Sequence, residues 1–125
     1  MRFKVLIVED SKASREFIAA TVEAIPGLEA VQTASGFEAL KILPRHRFEL
    51  IITDINMPDI NGLELVSFLK NHPVYRSIPI MVISTESTEE DRRRAAALGA
   101  EEYLVKPFEA GDLVAKLRRL LRVAS

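Results

Sequence analysis

Lys4-Val5-Leu6-Ile7-Val8-Glu9-Asp10-Ser11 is the stretch that decides the fold of this chain. Its apolar run is continuous rather than alternating, as in a strand covered on both faces. It then stops on two carboxylates and a hydroxyl. Ser11 suits the N-cap of a helix. Beyond it, Phe17, Ile18, Thr21, Val22 and Ile25 fall along one helical face. Pro26-Gly27 stops that helix. The opening thus reads as one buried strand feeding one helix.

The same unit recurs along the chain. A weaker strand spans Glu29 to Ala34, and Ser35-Gly36 opens a helix carrying Phe37, Ala39, Leu40 and Leu43 that ends near Pro44. Leu50-Ile51-Ile52-Thr53 is a third strand running into Asp54. A loop with Met57-Pro58 and Asn61-Gly62 precedes a helix bearing Leu63, Leu65, Val66 and Leu69. Pro79 to Ile83 is the fourth strand, with Ser84 at its end. Ser87-Thr88-Glu89-Glu90 resembles a capping box. The helix after it is acidic first and basic later, in keeping with its macrodipole, and Gly99 stops it. Glu102 to Val105 is the fifth strand. Leu113, Val114, Leu117, Leu120 and Leu121 stripe the last helix. Five βα units predict an α/β fold, a parallel sheet with helices on both faces. No linker or second core interrupts residues 1–125, so a single domain is expected.

Composition narrows the function. Net charge is -1, from 17 basic and 18 acidic side chains, which excludes a broad polyanion-binding surface. Direct nucleic-acid binding is not expected. There is no cysteine, hence no disulfide, thiolate metal site or cysteine nucleophile. His46 and His72 are too few and too far apart for a histidine metal site. The apolar runs are far short of the ~20 residues of a membrane span. Glu9 and Asp10 interrupt the basic-then-apolar start before a signal-peptide core forms, so a cytoplasmic location is expected. Arg92-Arg93-Arg94, Lys116, Arg118, Arg119 and Arg122 read as solvated helix faces.

The strand ends hold the chemistry. Glu9 and Asp10 follow strand one, Asp54 strand three, Ser84 strand four and Lys106 strand five. Ligands of open α/β sheets bind beyond the carboxyl ends of the strands, where the strand order reverses. Taken singly, Asp10 is a helix cap, Ser84 a loop hydroxyl and Lys106 a solvated lysine. Taken together they form one pocket of three carboxylates, a hydroxyl and an ammonium. Three close carboxylates repel one another unless a hard cation such as Mg²⁺ joins them. With the cation present, a carboxylate oxygen can attack a phosphoryl donor to give an acyl phosphate. Lys106 and Ser84 are placed to contact the phosphoryl oxygens.

The set Val8-Glu9-Asp10-Ser11, Thr53-Asp54-Ile55-Asn56-Met57-Pro58, Asn61-Gly62, Ile83-Ser84-Thr85, Gly99-Ala100 and Lys106-Pro107-Phe108 resembles the receiver domains of bacterial response regulators across essentially the whole chain. The resemblance implies a flavodoxin-like (βα)5 doubly wound sheet of strand order 2-1-3-4-5. It implies that Asp54 is the phosphoacceptor. Asp10, Asp54 and the Asn56 carbonyl would ligate Mg²⁺, with Glu9 acting through a metal-bound water. Ser84 and Lys106 would contact the phosphoryl group, and Lys106-Pro107 would be cis. Tyr103 matches an aromatic switch position whose ring turns in when Ser84 moves, biasing a surface made of the fourth helix, fifth strand and fifth helix. Asn56, Thr85 and Glu86 would tune the lifetime of the phosphoryl group. Asn56 and Glu86 point to a short life, while the bulk of Thr85 narrows access. The implied partners are a sensor histidine kinase or phosphotransfer protein, and a downstream protein target. The chain would then be no enzyme, apart from catalysing its own phosphorylation and dephosphorylation.

Two other functions compete. A phosphohydrolase with an aspartate nucleophile typically carries a second Asp two residues on as general acid, and here that position is Asn56. A pseudo-receiver that binds partners without phosphorylation is opposed by the intact set of Glu9, Asp10, Asp54, Ser84 and Lys106.

Overall fold

The apolar runs pair into one five-stranded parallel sheet of order β2-β1-β3-β4-β5 in a computed structural model that describes residues 2–85 and 88–124. Its elements are β1 (Phe3–Val8), α1 (Lys12–Glu23), β2 (Leu28–Thr33), α2 (Gly36–Ile42), β3 (Leu50–Asp54), α3 (Gly62–Lys70), β4 (Ile80–Ser84), α4 (Glu89–Leu98), β5 (Glu102–Val105) and α5 (Ala110–Ala124), with a 3-10 turn at Leu43–Arg45. This is the doubly wound order expected from the sequence.

Continuous apolarity follows from covering the sheet twice. Side chains alternate across a strand. Val5, Ile7, Leu50, Ile52, Met81, Ile83 and Leu104 pack with Ile18 and Val22 of α1 and Leu113, Leu117 and Leu120 of α5. Leu6, Val8, Ile51, Ile80, Val82 and Tyr103 face the other way, against Ala39 of α2, Leu65, Val66 and Leu69 of α3 and Ala95 of α4. The central residues Val5 to Val8 are completely buried.

Register carries the site. Val8 pairs with Thr53, Thr53 with Val82, and Val82 with Tyr103. One residue later Asp54 pairs with Ile83, and one further Ser84 pairs with Val105. The polar residues that end β1, β3, β4 and β5 therefore emerge at one level.

Several local expectations are corrected. Phe17 and Phe37 do not join the core but are 44% and 58% exposed. Small Ala19 takes the buried place on α1, and Phe17 packs on Phe108 with ring centroids 5.8 Å apart. β2 begins at Leu28 and ends at Thr33. The N-cap of α4 is Thr88, whose hydroxyl accepts the Asp91 N–H at 3.2 Å, while Ser87 lies outside the described residues. Acidic residues do occupy the first turn of α4, but Arg92, Arg93 and Arg94 lie mid-helix and the last turn has no basic residue. Lys116 and Arg119 do not simply face solvent: each pairs with Glu102 at 2.9 Å. The Arg122 side chain lies outside the described residues. Gly99 ends α4 in the left-handed region at φ 108°, as expected, and the Lys106-Pro107 bond is cis.

The turn into α3 leaves no room for a side chain. A Cβ on Gly62 would lie 1.8 Å from the Asp54 carbonyl oxygen and 2.8 Å from the Ile55 Cα. Backbone on the far side cannot swing aside as a flexible side chain would. Gly62→Ala is expected to cost about 3 kcal/mol, the upper part of the usual overpacking range. Gly111→Ala in α5, where a Cβ meets nothing within 4 Å, is expected to gain about 0.5 kcal/mol. Urea denaturation of the two variants checks both signs.

Candidate functional site

Each site residue stands where its element stops. Glu9 and Asp10 leave β1, Asp54 is the last residue of β3, Ser84 the last of β4, and Lys106 follows β5. Ser84 is completely buried, and its carbonyl accepts the Lys106 N–H at 2.8 Å. That bond extends the β4–β5 pairing by one step and delivers the lysine to the pocket.

Lys106 is the hub. Its ammonium donates to Glu9 Oε1 at 2.5 Å and to Asp54 Oδ2 at 3.3 Å. Oxygens of Glu9, Asp10 and Asp54 all lie within 4.8 Å of one another. Glu9 is 1% exposed and Asp54 8%, whereas Asp10 is open to solvent. Glu9 is held further by the Ser11 N–H at 3.0 Å and the Ser14 hydroxyl at 3.1 Å, and its own carbonyl accepts Arg15 Nη1 at 2.9 Å. Asp54 Oδ1 accepts the Ile55 N–H at 2.7 Å, which leaves Oδ2 facing the lysine.

The ionisation preferences diverge within this cluster. Burial pushes the Asp54 carboxyl above its ordinary value, and the Glu9 charge adds to the rise against the pull of Lys106. Burial would raise Glu9 too, but hydrogen bonds from Lys106 and Ser11 outweigh it and hold Glu9 below the ordinary carboxylate value. Burial would lower Lys106, yet the Glu9 hydrogen bond and the Asp54 charge outweigh it and keep the ammonium firmly protonated. Glu9 and Lys106 are thus a settled ion pair, and Asp54 is the carboxylate with charge left to share. Oxygen donors alone, two of them buried, with more negative than positive charge, are a donor set that fits a hard divalent cation.

The other expected residues lie around this centre. Asn56 is exposed on the loop after β3. Thr85 is exposed at the rim of an apolar hollow lined by Ser14, Phe17, Lys106, Pro107 and Phe108. Glu86 lies outside the described residues. Tyr103 is not with the carboxylates: it sits on the α2–α4 side of the sheet, 8% exposed, with the Arg92 guanidinium 5.1 Å from its ring centroid. That distance suits a cation–π contact. The ring is thus largely buried, with Arg92 beside it.

Sequence reasoning missed Ser14, Arg15 and Asp59. Ser14 lies three residues after the cap Ser11, where a first-turn hydroxyl looks toward the strand end it follows. Arg15 and Asp59 had no local signal, because their partners come from the tertiary fold. The two histidines lie apart from this cluster: His46 Nδ1 contacts Lys4 Nζ at 3.1 Å, and His72 stacks near Tyr75 at 4.5 Å.

Comparison with known proteins agrees with this geometry. Residues 5–118 match the family model of the response regulator receiver domain. The polar-differentiation response regulator DivK of Brucella anthropi is 32% identical over 117 residues, 94% of this chain and 94% of DivK. A probable transcriptional regulatory protein of Picosynechococcus sp. is 36% identical over 95% of this chain but only 49% of its own length, so the chain spans about half of that relative. Among solved structures, the Vibrio cholerae chemotaxis protein CheY4 superposes with a TM-score of 0.89 at 36% identity, covering 96% of this chain and 99% of that one. The family match over residues 5–118, the identity to DivK and the superposition on CheY4 show that the chain belongs to the response regulator receiver domains, the CheY-like signalling modules of two-component systems.

Proposed function

We propose that Asp54 accepts a phosphoryl group from a histidine kinase or phosphotransfer protein and that this exchange depends on Mg²⁺. The carrying observation is the buried Asp54 carboxylate, its pKa raised, with one oxygen tied to the Ile55 N–H and the other facing Lys106. Asp10, Asp54 and the Asn56 carbonyl would hold the cation, with Glu9 reaching it through water. Bound there, Mg²⁺ neutralises the carboxylates and the incoming phosphoryl oxygens.

The chain's own groups supply the rest. An Asp54 carboxylate oxygen attacks phosphorus, and the bond from phosphorus to the donor's leaving atom breaks. Lys106 turns from Asp54 to a phosphoryl oxygen while Glu9 keeps it protonated. The Ser84 hydroxyl donates to a second oxygen. Loss of the signal is attack by water on phosphorus, releasing phosphate and restoring the carboxylate. The chain's catalysis is confined to these two steps on itself. Movement of Ser84 is relayed to Tyr103 and so to the α4-β5-α5 surface, where a downstream protein reads the state. Asn56 supports this reading over a phosphohydrolase, since a side-chain amide is too weak an acid to protonate a leaving group. The polar Asn56, with Glu86, favours a short-lived phosphoryl group, and Thr85 at the rim opposes it. A cytoplasmic setting belongs to the same proposal.

Incubation with Mg²⁺ and acetyl phosphate is expected to add one phosphoryl group by intact mass, and Asp54→Asn is expected to add none. Once donor is removed, the added mass is expected to decay within minutes; survival for many hours would refute the short lifetime without touching the site assignment. Steady phosphate release from unrelated phosphomonoesters would instead favour the hydrolase.

A second expectation comes from charge. A carboxyl whose folded pKa is raised adds stability below its unfolded pKa and loses it as pH rises through the folded one. At pH 7 the ionised Asp54 is therefore a net cost. Asp54→Asn is expected to melt higher than the wild type in EDTA at pH 7, with the gap closing as pH falls below the carboxylate range. Mg²⁺ is expected to raise the wild-type midpoint more than the variant's. Scanning calorimetry in both buffers reads this, and a less stable variant at pH 7 in EDTA counts against the charge surplus.

A further inference from the structure

The loop of residues 55–61, between β3 and α3, is pinned at its base and at its tip. At the base, the Gly62 N–H donates to the Ile55 carbonyl at 2.7 Å and the Gly62 Cα packs on the Asp54 carbonyl. At the tip, the Asp59 carboxylate accepts the Phe37 N–H at 2.8 Å, the Gly36 N–H at 3.1 Å and its neighbour Ile60 N–H at 2.7 Å. Beside this contact a Cβ on Gly36 would lie 2.9 Å from the Ile60 Cβ. Loop and helix α2 thus meet at two adjacent points, one polar and one apolar.

Asp59 is one of two side chains that cap α2, taking the N–H groups of its first two residues. The other is Ser35, whose hydroxyl accepts the Glu38 N–H at 3.2 Å. Asp59 reaches Gly36 across 23 residues of chain, so its loss would free the loop while leaving α2 its Ser35 cap. Charge-assisted bonds to backbone N–H groups are strong and directional. The Phe37 N–H outweighs the opposing effect of burial and, with the N–H groups of Ile60 and Gly36 and the Ser35 hydroxyl, holds the Asp59 carboxyl at about 2. The clamp therefore stays ionised across the physiological range.

We propose that Asp59 is a positioning residue for the phosphorylation site: it fastens the loop to the first turn of α2 and so holds the Asn56 backbone where its carbonyl meets Mg²⁺. This rests on the reading of Asp54 and its neighbours as a Mg²⁺-dependent phosphoacceptor site.

The test is Mg²⁺ binding to the unphosphorylated full chain by isothermal titration calorimetry, for the wild type, Asp59→Ala, Asp59→Asn and Asp112→Ala. Outer groups that orient metal ligands are worth 10-fold or more in affinity, so Asp59→Ala is expected to weaken Mg²⁺ binding about tenfold. Asp59→Asn keeps one acceptor oxygen and is expected to weaken it less. Asp112→Ala removes a similar carboxylate-to-backbone bond, to the Glu109 N–H at 3.0 Å, at the start of α5. It is expected to leave Mg²⁺ affinity unchanged. Acetyl phosphate labelling of Asp59→Ala is expected to slow at limiting Mg²⁺ and to recover at saturating Mg²⁺, which a merely loosened fold would not do. Wild-type affinity in Asp59→Ala, an equal loss in Asp112→Ala, or a rate deficit that persists at saturating Mg²⁺ overturns the proposal. A wild-type chain that binds no Mg²⁺ overturns the phosphoacceptor reading itself, and the role of Asp59 with it.

Discussion

The Lys106 ammonium, shared between Glu9 and Asp54, is the interaction on which the rest of the site depends. It lets a sheet with a largely apolar interior end in two buried carboxylates and a third at the surface. A buried charge without a partner costs several kcal/mol, on the order of the margin by which a small domain is folded. Lys106 offsets that cost for Glu9, which is fully paired by the lysine, Ser11 and Ser14. It does so only in part for Asp54. The fold is therefore stable enough to exist while keeping one carboxylate with unmet electrostatic need.

Delivering Lys106 to that place is a matter of register. β1 and β5 lie three strands apart in the sheet, and their ends sit at one level because β3 and β4 pair in step between them. The two apolar cores make slipping costly, since moving any strand by one residue would exchange its α1–α5 face for its α2–α4 face. Burial of Val5 to Val8, Leu50 to Ile52 and Ile80 to Ile83 thus positions the chemistry beyond their ends. Tyr103 gains its meaning in the same way. Its pairing with Val82 places the ring two residues short of Ser84's level, on the face that packs α4, where Arg92 covers it.

Loops do the finer work around this frame. Gly62 lies against the Asp54 backbone and Asp59 reaches back to α2, so the segment that follows the central carboxylate is held from two sides. Glu102 ties β5 to Lys116 and Arg119 of α5, which draws two cations of the last helix into the fold.

Five strands, five helices and the residues at the strand ends were legible from the sequence, because unbroken β-branched runs and turn residues are local signals. So was the family, through short motifs in a specific order. The faces of α1 and α2 were not, since Phe17 and Phe37 fit a helical stripe by spacing but stay exposed, Phe17 resting on Phe108. The Asp59 clamp was invisible because its partners are 22 and 23 residues away. The split between a settled Glu9 and a strained Asp54 was equally hidden. Both are carboxylates at strand ends in the sequence, and only tertiary packing decides how much water each loses and which one owns the shorter contact to Lys106.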